Sequence, residues 1–139
     1  IVKEQIRIAA GEELSFRQRD ISSTGHAVEC RINAEHPFTF RPSPGRVKVF
    51  NVSGGPGIRI DSAAHAEVTI PPYYDSLVAK IIAHGKSREE AISRMRRTLS
   101  MTVIEGIDTT VPLHLKILQD PDFLSGSFST AFMDRFQAE

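Results

Sequence analysis

The chain predicts an α+β domain, a mostly antiparallel sheet with flanking helices, and three observations carry that expectation. Apolar residues recur at helical spacing over residues 1–10, short runs of period-two alternation follow between residues 26 and 83, and capped helical patterns fill most of the rest. At 139 residues the chain is one domain's worth, long enough to bury a core, with no internal repeat and no low-complexity segment.

Taken in order, Val2, Ile6 and Ala9 or Ala10 form the first apolar stripe, and Gly11 stands where a helix C-cap prefers glycine. A chain that opens inside a helix reads as a fragment, with residues 1–139 forming one domain of a longer protein. Residues 12–23 are polar and predict no regular element. Residues 26–35, H-A-V-E-C-R-I-N-A-E, alternate as a strand: His26, Val28, Cys30 and Ile32 share one face, and Ala27, Glu29, Arg31 and Asn33 the other. Three prolines and a glycine in the next ten residues forbid regular pairing. Further strands are expected at 46–51, 58–61 and 67–70, with a plain turn at Gly54-Gly55-Pro56-Gly57. Residues 77–83 are apolar almost throughout, as a strand buried on both faces would be.

The spacing predicts a helix over 87–100. Ser87 followed by Glu90 is a capping box, Ala91, Ile92, Met95 and Leu99 make its buried stripe, and Arg94, Arg96 and Arg97 face water. A short strand at 102–105, a helix at 110–118 with Pro112 in its first turn, a short helix starting at Asp120-Pro121 and a helical segment at 129–136 complete the reading.

Composition excludes several functions. Seventeen basic residues balance seventeen acidic ones, so neither nucleic acid nor an anionic membrane surface is an expected partner. A single cysteine, Cys30, rules out an intrachain disulfide, and on the apolar face of its strand it reads as a buried, inert thiol. The five histidines show no metal-ligand spacing, and no apolar run is long enough to span a bilayer. The expected location is the cytoplasm.

One stretch points at chemistry. A carboxylate, a guanidinium and an amide projecting side by side from a stiff strand are costly unless something uses them. Arg31 is permanently protonated, so it cannot be a general base, but it can hold and polarise an oxyanion or carboxylate with its planar fork. Glu29, two residues earlier on the same face, would aim or balance it. The competing meaning is a surface ion pair contributing well under about 1 kcal/mol. Asp75 after two tyrosines reads either as catalytic or as an Asx-turn residue. No pattern supplies a nucleophile–base pair, a metal cluster or a phosphate cradle.

The ladder G-H-A-V-E-C-R-I-N-A-E, then F-R-P-S-P-G, then P-P-Y-Y-D-S-L-V-A-K, in that order, resembles the C-terminal part of biotin carboxylase. This is the ATP-grasp component of acetyl-CoA carboxylase and other biotin-dependent carboxylases, and the likeness covers essentially the whole chain. The resemblance implies carboxylation of N1 of biotin with ATP and bicarbonate through carboxyphosphate. It places Arg31 against bicarbonate and the biotin ureido group. It makes the Gly54–Arg59 turn similar to a homodimer contact, implicating Pro56 and Arg59, with proline where the family often has an aromatic residue. Thr130 aligns with an apolar residue that borders the adenine of ATP. The family's ATP lid, its ATP-binding lysines and the acidic ligands for Mg2+ or Mn2+ precede the matched region, and no A-M-K-M biotinylation sequence is present. The implied partners are a biotin carboxyl carrier protein, a carboxyltransferase and a second copy. Two other readings stand beside this one: a docking or assembly module for a biotinyl carrier domain, and the end of another ATP-grasp ligase.

Overall fold

The strand Leu77–Gly85 organises the molecule. In the computed structural model, which describes residues 1–136, it is the middle of a three-stranded antiparallel sheet. The elements run α1 (Val2–Ala9), a 3-10 turn (Gln18–Asp20), β1 (His26–Asn33), β2 (Gly45–Arg46), β3 (Val49–Asn51), β4 (Ile58–Asp61), β5 (Thr69–Ile70), β6 (Leu77–Gly85), α2 (Arg88–Ser100), β7 (Val103–Glu105), α3 (Val111–Ile117), α4 (Pro121–Ser125) and a closing 3-10 stretch (Thr130–Arg135). The main sheet has the order β1-β6-β4, and two small antiparallel ladders pair β2 with β5 and β3 with β7.

Register gives the sheet one apolar and one charged face. Cys30 lies opposite Ile81, which lies opposite Ile60; the next row places Arg31, Lys80 and Asp61 side by side, and the one before it Glu29, Ile82 and Arg59. The apolar rows are covered by α2, whose Ile92, Met95 and Leu99 join Cys30, Ile32, Ala79, Ile81, Ala83 and Leu118 in the core. Burying a side chain such as Ile81 or Leu99 contributes on the order of 1.5–3 kcal/mol, so this layer holds the fold together. Two glycines let backbone segments approach closely. An added Cβ at Gly85 would fall 2.6 Å from the Ala91 amide nitrogen, and Gly57 needs φ +73° and would meet the His84 carbonyl oxygen at 2.5 Å.

Several expectations are corrected. Residues 46–51 do not form one strand: β2 and β3 pair with different partners, and Val47 between them is fully buried with its backbone bonded to Glu67 and Val68. The strand expected at 67–70 shrinks to Thr69–Ile70, because Glu67 sits at φ +74°. Only half of the capping box forms: Ser87 Oγ accepts from the Glu90 N–H at 3.3 Å, but the Glu90 carboxylate takes the Lys86 N–H at 2.6 Å. That backbone bond is the main reason the Glu90 carboxyl is held below its usual range. Arg94 does not simply face water; it donates to the His84 carbonyl and to Glu90, both at 2.6 Å, and so ties α2 to the end of β6. The closing helical segment takes the 3-10 form, and α1 buries nothing, leaving Val2, Ile6 and Ile8 exposed.

Candidate functional site: Arg31 and its supports

β1 is an edge strand, so one row of its backbone groups lacks a strand partner. Near Arg31 the row is closed from the start of α3. The Asn33 N–H donates to Thr110 Oγ1 at 3.0 Å, and the Thr110 N–H donates to the Asn33 carbonyl at 3.1 Å. The Arg31 carbonyl accepts twice, from Thr110 Oγ1 at 3.1 Å and from His114 Nε2 at 2.8 Å. A carbonyl oxygen cannot donate, so Nε2 carries the proton. Burial pushes the His114 imidazole below the ordinary histidine range, with the bond to Arg31 pulling weakly the other way. The neutral ring is therefore the native form at neutral pH.

The side chain of Arg31 points to the charged face, where Nη2 stands 3.5 Å from Asp75 Oδ2. With the two side chains 54% and 67% exposed, this is a loose, solvent-screened pair rather than a locked one. Asp75 is placed by its own corner. Its Oδ1 accepts from the Leu77 N–H at 3.2 Å, and the adjacent Ser76 bonds Glu35 through its hydroxyl and Ala34 through its carbonyl. Asp75 thus closes the Asx turn that one sequence reading expected, and it also faces the guanidinium. Asp75 and Ser76 also line a cleft of about 280 Å³ walled by Pro42, Pro44 and Tyr74.

Glu29 does not do what the ladder suggested. It makes no ion pair with Arg31 among the described residues, lies opposite Ile82, and lines an apolar cavity of about 210 Å³ with His114, Leu118 and Phe132. A strand's i, i+2 spacing brings two side chains to one face without aiming them at each other, and the Asp75 corner reaches the guanidinium instead. Cys30 is buried, and desolvation pushes its thiol up to about 12, which makes it inert at neutral pH. Thr130 is exposed at the start of the closing 3-10 stretch and does not line that cavity. Pro56 is exposed in its turn, and Arg59 on β4 donates from Nε to Asp61 at 3.0 Å, a bond that raises its already high pKa. Arg31 and Arg59 therefore stand on opposite edges of the sheet, separated by β6. Among the described residues, no group of three or more His, Cys, Asp or Glu side chains is arranged to hold a metal ion. No helix among them is long and apolar enough to cross a membrane.

The family model for the biotin carboxylase C-terminal domain matches residues 29–135, from the ladder strand to the last 3-10 stretch. The chain belongs to the biotin carboxylase C-terminal domain family. Biotin carboxylase 1 of Bacillus subtilis is 54% identical over 137 residues, covering 98% of this chain. The biotin carboxylase of Haemophilus influenzae is 51% identical over 135 residues, covering 97% of it. Superposition agrees: the biotin carboxylase domain dimer of Hydrogenobacter thermophilus 2-oxoglutarate carboxylase, solved with MgADP, ADP and bicarbonate, matches 97% of the chain with a TM-score of 0.92 and 47% identity. The α+β architecture with antiparallel sheets is thus that of the biotin carboxylase C-terminal domain. The chain spans only 30% of the length of each of these three relatives.

Sequence reasoning singled out Arg31 but not Thr110 and His114, which bond its carbonyl. The only signal for either was a threonine and a histidine one helical turn apart at the head of a predicted helix, which elsewhere means nothing more than a cap.

Proposed function

We propose that this domain completes the active site of a longer ATP-dependent biotin carboxylase, a ligase that carboxylates N1 of biotin on a carrier protein using bicarbonate. The observation that carries this reading is Arg31, a permanent cation fixed on an edge strand and held only loosely by Asp75 at 3.5 Å, in a chain of this family. A loosely held guanidinium can exchange its carboxylate for an incoming anion at little cost. Bicarbonate presents two oxygens that match its planar fork. When biotin loses its N1 proton, negative charge moves onto the ureido oxygen, and a cation already in place beside that oxygen stabilises the charge without reorganising. Nothing in this role requires Arg31 to gain or lose a proton.

ATP and Mg2+ or Mn2+ would be bound by the part of the enzyme that precedes this domain, which supplies the phosphoryl chemistry; the side chains described here form no metal cage to replace it. Thr130 is assigned to the rim of the adenine site. Pro56 and Arg59, on the edge opposite Arg31, are assigned to a homodimer contact. A biotin carboxyl carrier protein and a carboxyltransferase are the matching partners, and acetyl-CoA carboxylase is one such system.

The test is substitution of Arg31 in the full-length enzyme. Arg31→Ala lowers kcat for bicarbonate-dependent biotin carboxylation by about 10²–10³-fold, the usual cost of deleting a group that stabilises developing charge. Arg31→Lys recovers little of it, because an ammonium keeps the charge and loses the fork. Wild-type turnover of free biotin by Arg31→Ala, together with lost affinity for the carrier, would establish the docking-module reading instead.

A further inference from the structure

We infer that His114 and Thr110 are positioning residues for Arg31, and that together they clamp the backbone from which the guanidinium projects. The inference rests on the reading of Arg31 as the anion-binding residue and adds to it how that residue is aimed.

Edge strands fray and shift more readily than central ones, because half of their backbone groups lack a ladder partner. Arg31 sits on such a strand, one residue before the register irregularity between Ile32 and Asn33. Its side chain has only one protein partner among the described residues, at 3.5 Å, so the side chain cannot anchor itself. The carbonyl of the same residue, in contrast, takes two hydrogen bonds from one element, at 2.8 and 3.1 Å. Thr110 closes the ring by accepting from the Asn33 N–H and returning its own N–H to the Asn33 carbonyl. Four bonds from Thr110 and His114, at the N-terminal end of α3, thus hold Arg31 and Asn33 on either side of Ile32. The Thr110 residue is itself buried, and Leu113 and Leu118 of the same segment pack into the interior. The clamp is therefore built on a rigid element. Burial keeps the His114 ring uncharged, so it adds no second positive charge beside the site.

A displacement of about 1 Å in a reacting group can cost up to ~100-fold in rate, so loosening this clamp should act on turnover more than on folding. The experiment compares His114→Gln, which keeps an N–H donor on a side chain of similar reach, with His114→Leu, which removes it, in the full-length enzyme. Expected for His114→Leu is a fall in kcat of roughly tenfold or more, with KM for ATP unchanged and the far-UV spectrum retained; His114→Gln stays within about twofold of wild type on the same reasoning. Thr110→Val against Thr110→Ser repeats the comparison without touching the imidazole and decides the matter if His114→Leu does not fold. Wild-type kcat in both His114→Leu and Thr110→Val, or equal losses in the donor-keeping and donor-lacking variants, overturns the clamp. Arg31→Ala serves as the control: if it turns over normally, the reading of Arg31 itself has failed. If it is inactive while His114→Leu and Thr110→Val are normal, only the clamp has.

Discussion

Arg31 illustrates how a single side chain can be legible and its surroundings not. Its charge, its strand and its face follow from H-A-V-E-C-R-I-N alone, because alternation is a local rule. Its partner does not. The carboxylate lies 44 residues away, and the groups that hold its backbone lie 79 and 83 residues away. These contacts make two predictions. Asp75→Asn leaves the melting temperature nearly unchanged, since an exposed pair contributes only about 0.2–1 kcal/mol, while on the proposed reading it alters KM for bicarbonate of the full-length enzyme by freeing the guanidinium. His114, whose folded pKa lies below its unfolded value of 6.5, binds more protons unfolded than folded. Its contribution to stability is thus complete above pH 6.5 and is lost as pH falls through and below that value. Urea midpoints measured between about pH 5 and 8 should fall on the acid side in the wild type and much less in His114→Gln, which has nothing to titrate.

Among the elements, α2 was the most readable and also the most instructive in its details. A serine at the cap, an apolar stripe at i, i+3 and i+4, and no internal breaker specify a helix before any packing is known. Ser87→Ala removes the side-chain bond to the Glu90 N–H and should cost ~1 kcal/mol in urea unfolding. Gly85→Val should cost more than Ser87→Ala in the same measurement, because its Cβ would meet the α2 backbone rather than solvent. The strand expected at 46–51 failed for a physical reason. Alternation states which side chains share a face, but two successive ladders with different partners leave the same alternation as one continuous strand. In the closing segment Phe128, Phe132 and Phe136 fall at spacing four and pack with ring centroids 5.6 and 5.2 Å apart around Phe132, on a backbone that is 3-10 over Thr130–Arg135.

For the molecule as a whole, one layer of α2 on the apolar face of β1-β6-β4 holds the fold, so Ile81→Ala, at its centre, should cost about 2–5 kcal/mol. That loss is large against the roughly 5–15 kcal/mol typical of a domain. The opposite, charged face and the apolar side chains of α1 are not part of that layer. On the proposed reading, Arg31 supplies a cation for an anion, and no group of three or more His, Cys, Asp or Glu side chains among the described residues is arranged to hold a metal ion. The isolated chain should therefore show no biotin-stimulated, bicarbonate-dependent ATP turnover, and any such turnover in a purified sample would place the missing chemistry within these 139 residues.

Local order was written in the amino acids themselves: the polar and apolar faces of β1, the burial of β6, the start of α2 and the permanent charge of Arg31. Each of these depends on neighbours within one or two turns or a few strand residues, where periodicity and capping act. The pairing of Arg31 with Asp75, the displacement of Glu29 from that role and the clamp by Thr110 and His114 were decided only by the folded chain. Such contacts join segments tens of residues apart, and their geometry is set by the path of the whole backbone, which no short-range pattern encodes.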